Sequence, residues 1–217
     1  MKAVIFDKDG VLVETFYLYY RAYKKVFSEL GINITRNDIA KRYGMKGAEI
    51  IKQIMNERRI NIKEKQLKEL TNKKDRLYYE MAEKKLELLP GVIKLLIYLK
   101  NKNYKIGIAS SASKEIIEQL LRVMKIKKYF DATISGLEVN SSKPHPEIFL
   151  ECAKRLKVKP EECIVIEDSV HGIEAAKRAG MKCIAVATGQ TKRKELQKMK
   201  PDWILNTLEE FNNIEGL

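Results

Sequence analysis

The sequence predicts an α/β fold, a doubly wound parallel sheet with an all-helical segment inserted after its first strand. Three observations predict it. From residue 89 to residue 205, short apolar runs alternate with helix-spaced apolar stripes, the pattern of a parallel sheet with helices on both faces. Residues 15 to 86 carry helical stripes alone. Ala3 to Phe6 is an unbroken apolar run, short enough for a strand buried on both faces, and two carboxylates follow it. That strand belongs with the sheet, which leaves the helical segment as an insertion.

In chain order, the first strand runs into Asp7-Lys8-Asp9-Gly10-Val11-Leu12. A turn starting at Asp7 can bring Asp7 and Asp9 to bear on one point beyond the carboxyl end of the strand, where open parallel sheets bind ligands. Gly10 lets the backbone turn tightly there. Two like charges so close disfavour each other's ionisation, so a cation between them is the economical reading, and hard oxygen donors suggest Mg2+. A helix N-cap or Asx-turn without chemistry is the plainer reading of the same residues.

Phe16, Tyr19, Tyr20, Tyr23, Phe27 and Leu30 recur at helical spacing, and Gly31 ends the run in the manner of a C-cap. The tyrosines share this stripe with Phe27 and Leu30, so they are expected to be its packing face. Thr35-Arg36-Asn37-Asp38 looks like a helix start, and Gly44 and Gly47 bracket a break. Ile50, Ile51, Ile54 and Met55 form the next stripe, and Leu67, Leu70, Leu77, Tyr78 and Met81 another.

From Leu89-Pro90-Gly91 the pattern changes. Val92, Leu95, Leu96 and Leu99 read as a helix, and Lys105 to Ala109 as a strand ending in Ser110-Ser111-Ala112-Ser113. Ile116 to Met124, Pro146 to Leu156 and Ser169 to Ala179 then read as helices. Ala132 to Ile134, Cys163 to Ile166, Cys183 to Ala187 and Trp203 to Leu205 read as extended.

The chain has 217 residues and a net charge of +13, and residues 15 to 86 hold 18 Lys and Arg against 9 Asp and Glu. A basic segment facing an acidic site could attract anionic substrates or nucleic acid, but the plain expectation is a lysine-rich solvated helical face and no nucleic-acid partner. No apolar run is long enough to span a bilayer, and acids by position 7 break any signal-peptide pattern, so a cytoplasmic protein without a membrane partner is expected. Cys152, Cys163 and Cys183 are odd in number and widely spaced, and are expected as small core residues. A monomer or a homodimer is expected.

Three later strand ends supply polar groups that the N-terminal acids would need. Ser110 and Ser111 follow one strand, Lys143 sits in Ser142-Lys143-Pro144 after another, and Glu167-Asp168-Ser169 follows a third. A hydroxyl and a backbone N–H can bind phosphate oxygens, a lysine can neutralise developing charge, and a second acid pair can complete a Mg2+ shell. Singly, each reads equally well as a helix cap or a surface charge. Their coincidence at the carboxyl ends of strands points to one site.

The whole chain resembles the haloacid dehalogenase superfamily of aspartate-nucleophile phosphohydrolases, in particular its phosphoglycolate phosphatases and beta-phosphoglucomutases. Asp7-Lys8-Asp9-Gly10-Val11-Leu12 is similar to the first motif of that superfamily and Ser110 to the second. Lys143 in Lys143-Pro144-His145-Pro146-Glu147-Ile148-Phe149 is similar to the third, and Glu167-Asp168-Ser169 with Gly172-Ile173 to the fourth. The resemblance implies a Rossmann-like catalytic core at 1–14 and 87–217 with an α-helical cap at 15–86. It implies that Asp7 is the nucleophile and Asp9 the acid and base. Asp7 and Asp168 by their carboxylates, Asp9 by its backbone carbonyl and Glu167 directly or through water would hold Mg2+, and Ser110, the Ser111 amide and Lys143 would hold phosphoryl oxygens.

The resemblance further implies a Mg2+-dependent phosphatase of a small phosphate monoester, of phosphoglycolate or sugar phosphate type, working through an aspartyl phosphate. A phosphosugar mutase is the alternative, and a basic nucleic-acid-binding protein with an idle site is a remoter one. The mutases carry a cap histidine where this chain has Tyr19, and their cap arginine has no counterpart in Gly44-Met45-Lys46-Gly47, which favours the phosphatase. Lys74 resembles a cap lysine of sugar-phosphate relatives, although its residue type alone leads one to expect it in solvent. Lys46 and the cap stretch from Arg42 to Glu49 are further candidates to face substrate, whereas His145 and His171 are expected to be structural.

Overall fold

The computed structural model describes residues 1–42 and 45–213. Gly44, placed by sequence at a break between helices, lies outside the described residues. Six strands, β1 (Ala3–Phe6), β2 (Lys105–Ser110), β3 (Ala132–Ser135), β4 (Cys163–Glu167), β5 (Lys182–Val186) and β6 (Trp203–Leu205), form one parallel sheet in the order β3-β2-β1-β4-β5-β6. The chain steps outward from β1 to β2 and β3, then crosses to the other side of β1 for β4 to β6. The strand order therefore reverses between β1 and β4, where a crevice opens at the carboxyl edge. Phe6 pairs with Ile108 on one side and Ile166 on the other, which brings Asp7 beside the ends of β2 and β4.

Helices α1 (Phe16–Ser28), α2 (Arg36–Ala40), α3 (Gly47–Glu57) and α4 (Glu64–Lys85) lie between β1 and β2 in the chain and are followed by α5 (Val92–Asn101). After β2 come α6 (Lys114–Val123), α7 (Glu147–Leu156), α8 (Val170–Arg178) and α9 (Arg193–Lys198). Alternation along the strands sorts the core into two layers. Val4 and Phe6 join Ile106, Ile108, Ile164 and Ile166 against α5 and α6. Ala3 and Ile5 join Ala109, Ile134, Val165 and Cys183 against α7 and α8. All three cysteines are buried and free. Each fully buried isoleucine contributes about 1.5–3 kcal/mol.

The insertion has a core of its own. Phe16, Tyr23 and Phe27 of α1 meet Ile50, Ile51 and Ile54 of α3 and Leu67 of α4. At its base, Leu18 and Ala22 of α1 and Tyr78 and Ala82 of α4 join the cluster that covers the sheet. The two crossings run side by side, with an antiparallel bridge between Val13 and Leu88 and a 2.9 Å bond from Leu89 N–H to the Leu12 carbonyl.

Three strands reach one residue further than their apolar runs, to Ser110, Ser135 and Glu167. The ladder continues there, since Ser110 pairs with Ser135 and Glu167 with Ala185. The α1 helix ends at Ser28, so Leu30 falls outside its stripe and is 44% exposed.

Candidate active site

Asp7 leaves β1 while still joined to β4, its N–H donating to the Ile166 carbonyl at 2.9 Å. The residue is buried, at 6% exposed. One oxygen accepts from Lys143 Nζ at 2.5 Å and the other from the Asp9 N–H at 3.0 Å. The bond from Asp9 closes an Asx-turn, the plainer of the two readings from sequence, and Asp7 and Asp9 both line the cleft described below. Burial raises the pKa of Asp7 and Lys143 lowers it, while Glu167 and Asp9 raise it again, leaving it at about 7.

Asp9 presents Oδ1 to two donors, the Lys8 ammonium and the Thr15 hydroxyl. Lys8 and Thr15 are both fully buried. Burial works against the charge on Lys8, but Asp9 and Tyr78 outweigh it and hold the ammonium above the ordinary lysine value. Neither residue is singled out by the motif. A cation flanked by two acids inside an otherwise apolar turn was the available signal for Lys8.

Lys143 is buried and bridges Asp7 and Glu167, with Glu167 Oε1 at 2.6 Å. Burial disfavours its charge, yet these two carboxylates keep it above the ordinary value. Glu167 Oε2 accepts from the Asp168 N–H at 2.9 Å, the Ser169 N–H at 3.0 Å and the Ser169 hydroxyl at 2.9 Å. The carboxylate of Glu167 is thereby turned to Lys143 and to its own loop.

Asp168 is different. Its Oδ2 is buried and has no hydrogen-bond partner, one of two such side-chain atoms among the described residues. Burial, followed by Glu167 and Asp7, pushes its pKa well above the ordinary range. The backbone crowds this oxygen. A Cβ built on Gly189 would lie 1.6 Å from it, and one on Gly10, which sits at φ +77°, would lie 2.2 Å away. Gly189 follows β5 and is a site residue the motifs do not mark; its signal is its place after a strand's carboxyl end. Next to it, the Thr188 hydroxyl donates to the Gly10 carbonyl at 2.6 Å and ties the two loops together.

A cleft between insertion and sheet gathers Asp7, Asp9, Ser110, Ser111 and Asp168 from the core with Lys46, Lys74, Tyr19 and Tyr23 from the helices. Ser110 is buried and accepts from the Ala112 N–H at 3.2 Å. Lys143 and Glu167 stand behind Asp7, outside the cleft wall. Among the described residues no three His, Cys, Asp or Glu side chains converge as a metal-holding group. Glu167 faces Lys143 and its own loop, and Asp9 Oδ1 faces Lys8 and Thr15.

Lys74, expected in solvent from its residue type, is 3% exposed. Its ammonium pairs with Asp75 and lies 5.2 Å from the Tyr19 ring centroid and 5.3 Å from that of Tyr23, which supply the attraction that offsets burial. Tyr19 and Tyr23 are accordingly cleft wall as well as packing face. Lys46 donates to the Val139 carbonyl at 2.5 Å, across from insertion to core.

Residues 4–186 match the profile of the haloacid dehalogenase-like hydrolases. The chain is 37% identical over 220 residues to a phosphorylated carbohydrates phosphatase of Thermotoga maritima, covering 97% of this chain and 99% of that one. It is 37% identical over 196 residues to a beta-phosphoglucomutase of Bacillus subtilis, covering 88% and 85%. A crystal structure of beta-phosphoglucomutase from Clostridium difficile superposes with a TM-score of 0.87 at 31% identity, over 97% of this chain and 92% of that one. A capped parallel sheet with its acids at the switch point, matched by relatives along nearly its whole length, makes this chain an enzyme that belongs to the haloacid dehalogenase-like hydrolases.

Proposed function

We propose that the protein is a Mg2+-dependent phosphatase of a small phosphorylated carbohydrate. The observation that carries the reading is Asp7, a buried carboxylate held by Lys143 at the floor of a cleft that the helical insertion covers. Asp7 attacks phosphorus in line, the P–O bond to the leaving group breaks, and an aspartyl phosphate forms. Asp9 gives a proton to the leaving oxygen and then takes one from the water that hydrolyses the intermediate. The Ser110 hydroxyl and the Ser111 N–H meet the phosphoryl oxygens, and Lys143, behind Asp7, balances the charge that gathers there, so catalysis consists mostly of positioning and charge stabilisation.

The orphaned Asp168 Oδ2, near the carboxylates of Glu167 and Asp7 and crowded by Gly10 and Gly189, fits a hard cation. Asp7, Asp168 and the Asp9 carbonyl would hold Mg2+, with Glu167 acting through water. Bound there, Mg2+ supplies neutralisation of charge on the phosphoryl group. The T. maritima relative, a phosphatase of phosphorylated carbohydrates by name, supports the substrate class. By the resemblance, Tyr19 takes the place of the mutase histidine; its ring is stacked on Tyr78 at 4.3 Å, with the Lys8 and Lys74 ammonium groups 5.4 Å and 5.2 Å from its centroid. This favours hydrolysis over transfer to a sugar hydroxyl.

The test is phosphate release from a panel of sugar phosphates and phosphoglycolate, with Mg2+ or EDTA. Release that needs Mg2+ and disappears in Asp7→Asn is expected. Interconversion of glucose 1-phosphate and glucose 6-phosphate without net release would assign the mutase activity instead, and turnover retained by Asp7→Asn would remove the nucleophile.

A further inference from the structure

Lys8 is the one charged residue of the motif turn that the reaction above does not use. Its ammonium is fully buried and takes no part in the cleft wall. On one side it pairs with Asp9 Oδ1. On the other it meets two tyrosines of the insertion, with the Tyr78 hydroxyl at 3.4 Å and the ring centroids of Tyr78 and Tyr19 at 5.3 Å and 5.4 Å. Tyr19 belongs to α1 and Tyr78 to α4, the helices by which the chain enters and leaves the cap.

Burying an ammonium is costly, and an apolar side chain of the same length would pack here without that cost. What the charge adds is directional. Lys8 and Thr15 both reach the same oxygen of Asp9 from within the protein, leaving Oδ2 for the cleft. We propose that Lys8 is a positioning residue, which pins Asp9 by one oxygen and couples its orientation to the cap helices through Tyr19 and Tyr78. Asp9 is then aimed at the leaving oxygen only when the cap stems sit as they do here. This inference rests on the assignment of Asp9 as acid and base.

The test compares Lys8→Met, Tyr78→Phe and the double variant with the parent enzyme, using p-nitrophenyl phosphate and the best sugar phosphate of the panel. Methionine keeps the length and packing of the stem and removes the charge. Lys8→Met is expected to lower kcat by at least about tenfold, because small misplacements of a catalytic group cost this much or more, and to leave KM within about threefold. Its thermal midpoint should hold or rise. Tyr78→Phe should lower kcat less, and the double variant should be no worse than Lys8→Met. A kcat for Lys8→Met within twofold of the parent, or kcat and KM impaired together, overturns the proposal. If Lys8→Met does not fold, Tyr78→Phe decides: lower kcat at constant KM supports it and unchanged kcat overturns it. Asp9→Asn, measured alongside, separates the two readings. Full turnover in that variant overturns both, whereas an inactive Asp9→Asn beside an unimpaired Lys8→Met overturns this inference alone.

Discussion

Asp168 shows how little space separates a working site from a broken one. Its free oxygen sits against the backbone of Gly189 and Gly10, and added carbon at either glycine would occupy the place of the carboxylate. Gly189 has the closer approach, so Gly189→Ala isolates crowding of the carboxylate. The variant is expected to raise the Mg2+ concentration for half-maximal activity by about tenfold or more, the usual scale for disturbing the groups that orient metal ligands. Titration of activity with Mg2+ checks it; an unchanged half-saturation point would show that Asp168 does not hold the ion. At this scale the sequence was legible where a polar residue followed an apolar strand, as at Asp7, Ser110 and Asp168. The burial of Lys8 and Lys74 was not, although the resemblance picked out Lys74 as a cap candidate, because what buries them is a set of tyrosine rings that only the folded chain brings near. A lone lysine in the sequence carries no sign that Tyr19 will lie over it.

Elements were legible through their periodicity, and their errors fall at polar ends. β4 runs on to Glu167 because ladder bonds with β5 continue past the apolar residues, while Leu30 keeps the helical spacing but lies beyond the end of α1. The start of α2 was read correctly from Thr35 to Asp38, and its chemistry explains why. Thr35 Oγ1 accepts from the Asp38 N–H, and the Thr35 N–H donates to Asp38 Oδ2 at 2.7 Å, a reciprocal capping box. Thr35→Ala is expected to cost about 1 kcal/mol of stability by denaturant unfolding. The bond from the Thr35 backbone lowers the Asp38 pKa, with burial opposing and the Thr35 hydroxyl assisting. A carboxyl depressed in the folded state adds stability above its unfolded pKa, near 4, and loses it as pH falls through the lower folded value. The stability gap between the parent and Asp38→Asn should therefore be widest above about pH 4 and close below it. A gap that widened on acidification would contradict this role.

Across the whole molecule, the cap touches the core at two levels. At the base, Leu18, Ala22, Tyr78 and Ala82 share the sheet's own cluster, which fixes where the stems stand. At the tip the contacts are polar and partly exposed. Lys46 donates to the Val139 carbonyl and the Ser142 hydroxyl donates to Glu49, both landing on the segment that leads into Lys143. Apolar packing at the base and polar contacts at the tip suit a cover that stays attached while its far edge can part, excluding water when shut. Polar contacts at such an edge contribute little to stability, about 0.2–1 kcal/mol each. Glu49→Ala is accordingly expected to leave the thermal midpoint unchanged and to raise KM about twofold to fivefold, the binding equivalent of that energy. Its kcat should stay within about twofold, since no group at phosphorus has moved. Steady-state kinetics at saturating Mg2+ separate the alternatives: a KM equal to the parent would mean that the tip contacts do nothing to hold the cover shut. A loss confined to kcat would place Glu49 in the chemistry, where its contact with Ser142, one residue before Lys143, would then be the path.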